Sequence, residues 1–151
     1  MYKTTIIEPR SSKDFTAYYD LRWRILRRPW QQPRGSEKDE LENESIHVMA
    51  VLAGKIVGCG RVHFNSPTQA QIRYMAVEEN FRQHGVGTEI LQELEKRVIQ
   101  KGAQEIILKA REKAVSLYLR QGYEIFDEGE VMFGEIAHFW MRKIIISHES
   151  Q

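Results

Sequence analysis

The chain has 151 residues, 42% of them hydrophobic, which is enough for one core of ordinary size and points to a single domain over residues 1–151. Lys and Arg total 22 against 21 Asp and Glu, and the formal net charge of +1 removes the bulk electrostatic case for a nucleic-acid partner or a membrane surface. The one cysteine, Cys59, has no internal disulfide partner, no run approaches the roughly 18 apolar residues that span a bilayer, and the first residues lack a signal core, so a cytoplasmic protein is expected.

In chain order, Thr4 to Glu8 reads as a short strand stopped by Pro9, and Ser11 or Ser12 can cap a helix running to about Arg27 with Phe15, Tyr19, Trp23 and Leu26 as its buried stripe. From Arg28 to Asn43 the pattern dissolves into prolines, Gly35 and a polar run, a long loop with one helical turn at most. Glu37 to Glu44 reads as solvated, with attraction of a cationic amine as the sharper alternative. Ile46 to Leu52 and Ile56 to Phe64 are strand-like and flank Ala53-Gly54-Lys55, a hairpin signal. Gln69 to Val77 follows as a third strand of this group.

The clearest helix carries Val86, Ile90, Leu91, Leu94, Val98 and Ile99 at helical spacing and ends near Lys101-Gly102. Glu105 to Ala110 is a strand rich in β-branched residues, Ala114 to Gln121 a short helix stopped by Gly122, and Tyr123 to Phe126 and His138 to Ile146 complete the strands. Hairpins come first and a strand-helix-strand unit later, which predicts a mixed, mostly antiparallel α/β sheet of six to seven strands flanked by helices. Within it, one parallel pair is joined by a crossover helix.

The junction before that crossover helix holds the chemistry. Arg82-Gln-His-Gly-Val-Gly-Thr lies between a strand and a helix. Gly85 and Gly87 let backbone approach a ligand, and the N–H groups of a first helical turn converge on one spot, an arrangement suited to phosphate or pyrophosphate. Arg82 can add charge-assisted hydrogen bonds.

The stretch from Tyr74 to Tyr123 resembles the GNAT superfamily of acyl-CoA-dependent N-acyltransferases, whose signature Arg/Gln-x-x-Gly-x-Gly/Ala is matched by Arg82-Gln-His-Gly-Val-Gly. A second family element, Asn-x-x-Ala-x-x-x-Tyr-x-x-x-Gly-Phe/Tyr, is matched at Ala114, Tyr118, Gly122 and Tyr123. Its asparagine is replaced by Arg111, which leaves the usual side-chain contact to the pantetheine arm unassigned. Leu21-Arg-Trp-Arg-Ile, the acidic loop before His47 and His138-Phe-Trp-Met-Arg-Lys look like the ElaA-like branch.

The spacing of the histidines predicts no metal, and the resemblance implies acetyl-CoA or another acyl-CoA as cosubstrate. It implies a cofactor site of Met75, Ala76, Val77, Arg82, Gln83, His84, Gly85, Val86, Gly87 and Thr88, in which the backbone of Met75 to Val77 pairs with the pantetheine amides and an N–H polarises the thioester oxygen. It also implies Tyr118 as general acid to the departing thiolate, and direct transfer to a primary amine, on a small molecule or a peptide, in a ternary complex. A non-catalytic acyl-CoA sensor that signals to a protein partner is the alternative, and a homodimer is left open.

The base is not assigned. Gln71 stands where some members carry glutamate, and Glu40, Glu42, Glu78, Glu112 and His138 remain candidates. Cys59, among strand-like residues, reads as a small buried side chain. His47, His63 and His138 lack metal-ligand spacing and read as structural, and the Arg22, Arg24, Arg27 and Arg28 cluster reads as a polar helix face.

Overall fold

The computed structural model describes residues 3–146. In chain order its elements are β1 (Thr5–Ile7), α1 (Ser12–Leu26), β2 (Ile46–Leu52), β3 (Lys55–Phe64), β4 (Gln69–Val77), α2 (Val86–Gln100), β5 (Glu105–Arg111), α3 (Val115–Arg120), β6 (Glu124–Glu128) and β7 (His138–Ile144). Short 3-10 turns lie at Arg28–Trp30, Glu42–Glu44, Glu79–Phe81 and Glu112–Ala114. The seven strands form one sheet in the order β1-β2-β3-β4-β5-β7-β6. β4 and β5 are parallel, while the β1–β2, β2–β3, β5–β7 and β6–β7 pairs are antiparallel, so the mixed α/β sheet is as expected.

Two compact units divide the chain, one of residues up to 63 with 73–94, the other of 64–72 with the residues from 95 onward. In the first, Ser11 caps α1: its hydroxyl accepts from the Asp14 N–H at 3.0 Å while the Asp14 carboxylate accepts from the Ser11 N–H at 3.3 Å. The β2–β3 turn uses two left-handed residues, Ala53 (φ 50°) and Gly54 (φ 80°). Gly60 on β3 is a close-approach glycine, because a Cβ there would stand 2.6 Å from Met75 Sδ and 2.8 Å from Ile90 Cγ2. α2 can therefore lie close on the strand.

Two helix stripes differ from expectation. Of Phe15, Tyr19, Trp23 and Leu26 only Leu26 is buried, and Tyr18, Leu21 and Arg22 occupy the inner face of α1 instead. The helix is turned by about one residue because the Arg22 guanidinium finds partners inside. It donates to the Glu42 carboxylate at 2.9 Å, the Glu37 carbonyl at 3.0 Å and the Tyr18 hydroxyl at 2.9 Å, and it lies 4.2 Å from the centroid of the Tyr74 ring. On α2, Val86, Ile90, Leu91, Leu94 and Val98 are buried as expected, whereas Ile99 is 43% exposed and Glu95 takes an inner position.

In the second unit β5 runs parallel to the start of β4, from Gln69 opposite Glu105 to Ile72 opposite Leu108. β7 pairs antiparallel with β5 over its whole length, Arg111 opposite His138 and Glu105 opposite Ile144. Side chains alternate across the sheet, so Ile106, Leu108, Ala110, Met141 and Lys143 share one face and Lys109, Arg111, His138 and Trp140 the other.

Candidate active site

β4 does not run straight. Tyr74 adopts φ 60° in mid-strand, a conformation that costs a non-glycine residue about 1–3 kcal/mol and concentrates at functional sites. The ladder to β5 stops before it, at Ile72. Beyond Tyr74, Ala76 is buried and Met75 and Val77 are partly exposed.

The 3-10 turn Glu79–Phe81 then leads into the glycine loop, where Gln83 (φ 65°) and Gly85 (φ 85°) reverse the chain and Val86, 1% exposed, anchors the start of α2. Arg82, Gln83, His84 and Gly85 are exposed, and Gly87 and Thr88 lie partly exposed in the first helical turn. Arg82 Nε donates to the Val77 carbonyl at 3.0 Å, tying the loop to the end of β4. Glu89 donates to the Gly85 carbonyl at 3.0 Å and opens the helical ladder, so the preceding amides belong to a turn with no helical carbonyl behind it. Nothing stands within 4 Å of a Cβ built on Gly85, so room is left above its backbone.

Tyr118 projects from α3 into the second unit. It is 5% exposed, and its ring meets that of Tyr123 edge-on at 5.8 Å. Burial pushes its phenol well above the usual range, and no described residue hydrogen-bonds its hydroxyl. Tyr123 is itself anchored, donating to Glu95 Oε2 at 2.8 Å, and Lys143 Nζ reaches the same oxygen at 3.2 Å. Sequence reasoning missed this support; its signal was Glu95 itself, a carboxylate among the apolar positions of α2.

Two expectations are corrected here. The acidic run is not simply solvated: Asp39 accepts from Arg61 at 2.6 Å and Arg73 at 2.9 Å, and Glu42 from Arg22 at 2.9 Å and Arg61 at 2.8 Å. The Arg22 to Arg28 cluster is not a plain polar face, since Arg22 is fully buried and Arg27 nearly so. Burial alone would raise the Asp39 carboxyl, but the Arg61 hydrogen bond, the Leu41 amide and the charges of Arg61 and Arg73 outweigh it and hold the group at about 2. Among the described residues the Nε atoms of Arg22 and Arg61 have no hydrogen-bond partner, and the Tyr74 ring centroid lies 4.2 and 5.0 Å from the two guanidinium carbons.

Cys59 is buried, its thiol raised to about 11 by that burial, which suits a packing role. His47 is held between the Tyr18 hydroxyl and the Glu42 carbonyl, both at 2.8 Å, and His63 Nδ1 faces Arg61 at 3.0 Å. Among the described residues no cluster of His, Cys, Asp or Glu is arranged to hold a metal, and no helix is long and apolar enough to cross a membrane.

The site thus consists of a parallel strand pair joined through a glycine turn and a helix N-terminus, on a mixed sheet whose central strand is bent at Tyr74. Residues 15–123 match the family model described as the acetyltransferase (GNAT) family. The chain is 36% identical over 111 residues to the uncharacterized N-acetyltransferase YjcF of Bacillus subtilis (strain 168), covering 74% of this chain and 79% of that one. Its fold is shared with an aminoglycoside 6'-N-acetyltransferase solved in complex with coenzyme A (TM-score 0.79, 20% identity, 97% and 98% coverage). It is shared likewise with ElaA of Escherichia coli (TM-score 0.76, 14% identity, 95% and 99% coverage). The chain belongs to the acetyltransferase (GNAT) family and is an acetyl-CoA-dependent acetyltransferase.

Proposed function

We propose that the protein transfers an acetyl group from acetyl-CoA to a primary amine by direct attack within a ternary complex. The observation that carries the cofactor half is the left-handed turn at Gln83 and Gly85 feeding the start of α2, with Arg82 tied to the end of β4. In this reading the backbone of Arg82 to Thr88 holds the pyrophosphate, and Met75, Ala76 and Val77, beyond the end of the β4–β5 ladder, pair with the pantetheine amides as a further strand would. A strand N–H there polarises the thioester oxygen, a donor worth about 3 kcal/mol.

Tyr118 is the general acid that protonates the departing thiolate. Its burial and the absence of a hydrogen-bond partner for its hydroxyl among the described residues keep that proton for a ligand. The acceptor is an amine on a small molecule or a peptide, and the aminoglycoside named for one structural relative belongs in the first panel tested.

The test is calorimetric titration of acetyl-CoA into the wild-type protein and Gly85→Glu, followed by thiol-release assays with an aminoglycoside, a short peptide with a free N-terminus and a lysine-containing peptide. Micromolar binding that Gly85→Glu abolishes, together with amine-dependent thiol release, is the expected result. Equal binding by the folded variant overturns the loop assignment, and binding with no turnover on any amine overturns the transfer reading.

A further inference from the structure

His138 opens β7 at the C-terminal end of β5, opposite Arg111. The ring is 5% exposed, and its Nδ1 lies 3.0 Å from the Ile136 carbonyl and 3.3 Å from that of Glu130. Carbonyl oxygens only accept, so Nδ1 must carry the proton, and in the neutral ring Nε2 holds the lone pair. No described residue hydrogen-bonds Nε2.

The backbone around the ring is clamped. The Gly129 N–H donates to the His138 carbonyl at 2.8 Å and the Glu112 N–H to that of Ala137 at 3.0 Å. A Cβ at Gly129 would stand 3.0 Å from His138 Cβ, so the loop closes tightly over the residue. A fixed tautomer, a rigid mount and an unengaged nitrogen together are the construction of a base.

We propose that His138 is the general base of the transfer, its Nε2 taking the proton that the acceptor nitrogen loses; this rests on the acetyltransfer reading above. His138 shares a face of the sheet with Lys109, Arg111 and Trp140, whereas Tyr118 packs on Tyr123, which is anchored with Lys143 to Glu95 on the other face. Base and acid thus stand on opposite sides, as nucleophile and leaving group do about a carbonyl carbon. As the C–N bond forms and the C–S bond breaks, one proton passes from nitrogen to His138 Nε2 and one from Tyr118 to sulfur, and water returns the first to the second.

The charged groups on the strands beside β7 and on the loops at its start are Glu105, Lys109 and Arg111 on β5, Glu112 just beyond it, Glu124, Asp127 and Glu128 on β6, and Glu130 and Glu135 in the loop before β7; of these Lys109 and Arg111 act on the imidazole. Burial lowers the imidazole, the bonds to the Ile136 and Glu130 carbonyls oppose that, and Lys109 and Arg111 lower it further, so the neutral ring predominates at pH 7.

The test uses His138→Asn, which keeps an N–H where Nδ1 stands and removes the base. With the best amine of the panel, the wild-type kcat/KM rises with pH through an ionisation below 6.5. The variant is expected to lose that limb and about 10²-fold in kcat while acetyl-CoA binding is kept. Nitrogen NMR of the wild-type imidazole should show Nδ1 protonated and Nε2 bare at pH 7.5. An unchanged acidic limb in an active variant, or an Nε2–H tautomer, overturns the base alone. A wild-type protein that acetylates no amine overturns the transfer reading and the base with it.

Discussion

Tyr118 differs from a surface tyrosine in one respect, its loss of water. Desolvation raises its phenol, so the hydroxyl stays protonated across the working range, as the acid proposed above requires. Tyr118→Phe keeps the ring that meets Tyr123 and deletes only that proton. Turnover should fall about 10²- to 10⁴-fold with acetyl-CoA affinity within twofold of wild type, measured by thiol release and calorimetry. An equal rate removes Tyr118 from the acid role. Gly122, at φ 94°, ends α3 in a conformation that favours glycine and turns the chain toward Tyr123, so the spacing of the motif is also a spacing of backbone geometry.

At the level of elements, α2 rests on β3 through missing side chains. Gly60 leaves room for Ile90, Leu94 and Met75, whose nearest atoms would stand 2.6 to 3.0 Å from an added Cβ. Gly60→Ala should therefore destabilise by about 1–3 kcal/mol, read as a lowered urea midpoint with an unchanged slope. Met75 Sδ is the terminal part of a flexible side chain and can yield, but the branched Ile90 Cγ2 cannot move without shifting the helix. A variant as stable as wild type would mean that α2 is free to rise, and the packing account of its placement fails. The same change should weaken acetyl-CoA binding, because the start of α2 is the proposed pyrophosphate seat.

Across the molecule, stability at low pH follows from the arginine network. The folded Asp39 carboxyl lies at about 2 against 3.8 for the free group. Its stabilisation is thus present above 3.8 and is lost as pH falls toward 2, a contribution of about 2 kcal/mol by linkage. His47 acts in the same direction at higher pH, since burial lowers its imidazole and protonation opposes folding below 6.5. Urea titrations at pH 7, 5 and 3 should show wild type losing stability between pH 5 and 3, and Asp39→Asn, weaker at pH 7, losing less over that interval. Parallel losses in both proteins would show that Arg61 and Arg73 do not set the Asp39 carboxyl.

What periodicity and turn chemistry carry was readable without coordinates. β2 and β4 fall on the residues read as strands, Ser11 caps α1, and the parallel pair follows from a strand, a glycine turn, a helix and a strand in succession. These features are local, and the backbone conformations they need are limited to a few residue types. The inner face of α1, the pairing of Asp39 and Glu42 with arginines distant in sequence, the Glu95 seat under Tyr123 and the bare nitrogen of His138 were decided only by tertiary structure. Hydropathy records whether a residue is charged but not whether a partner waits for it inside. A histidine's free nitrogen is set by whichever carbonyls the fold brings to the other one.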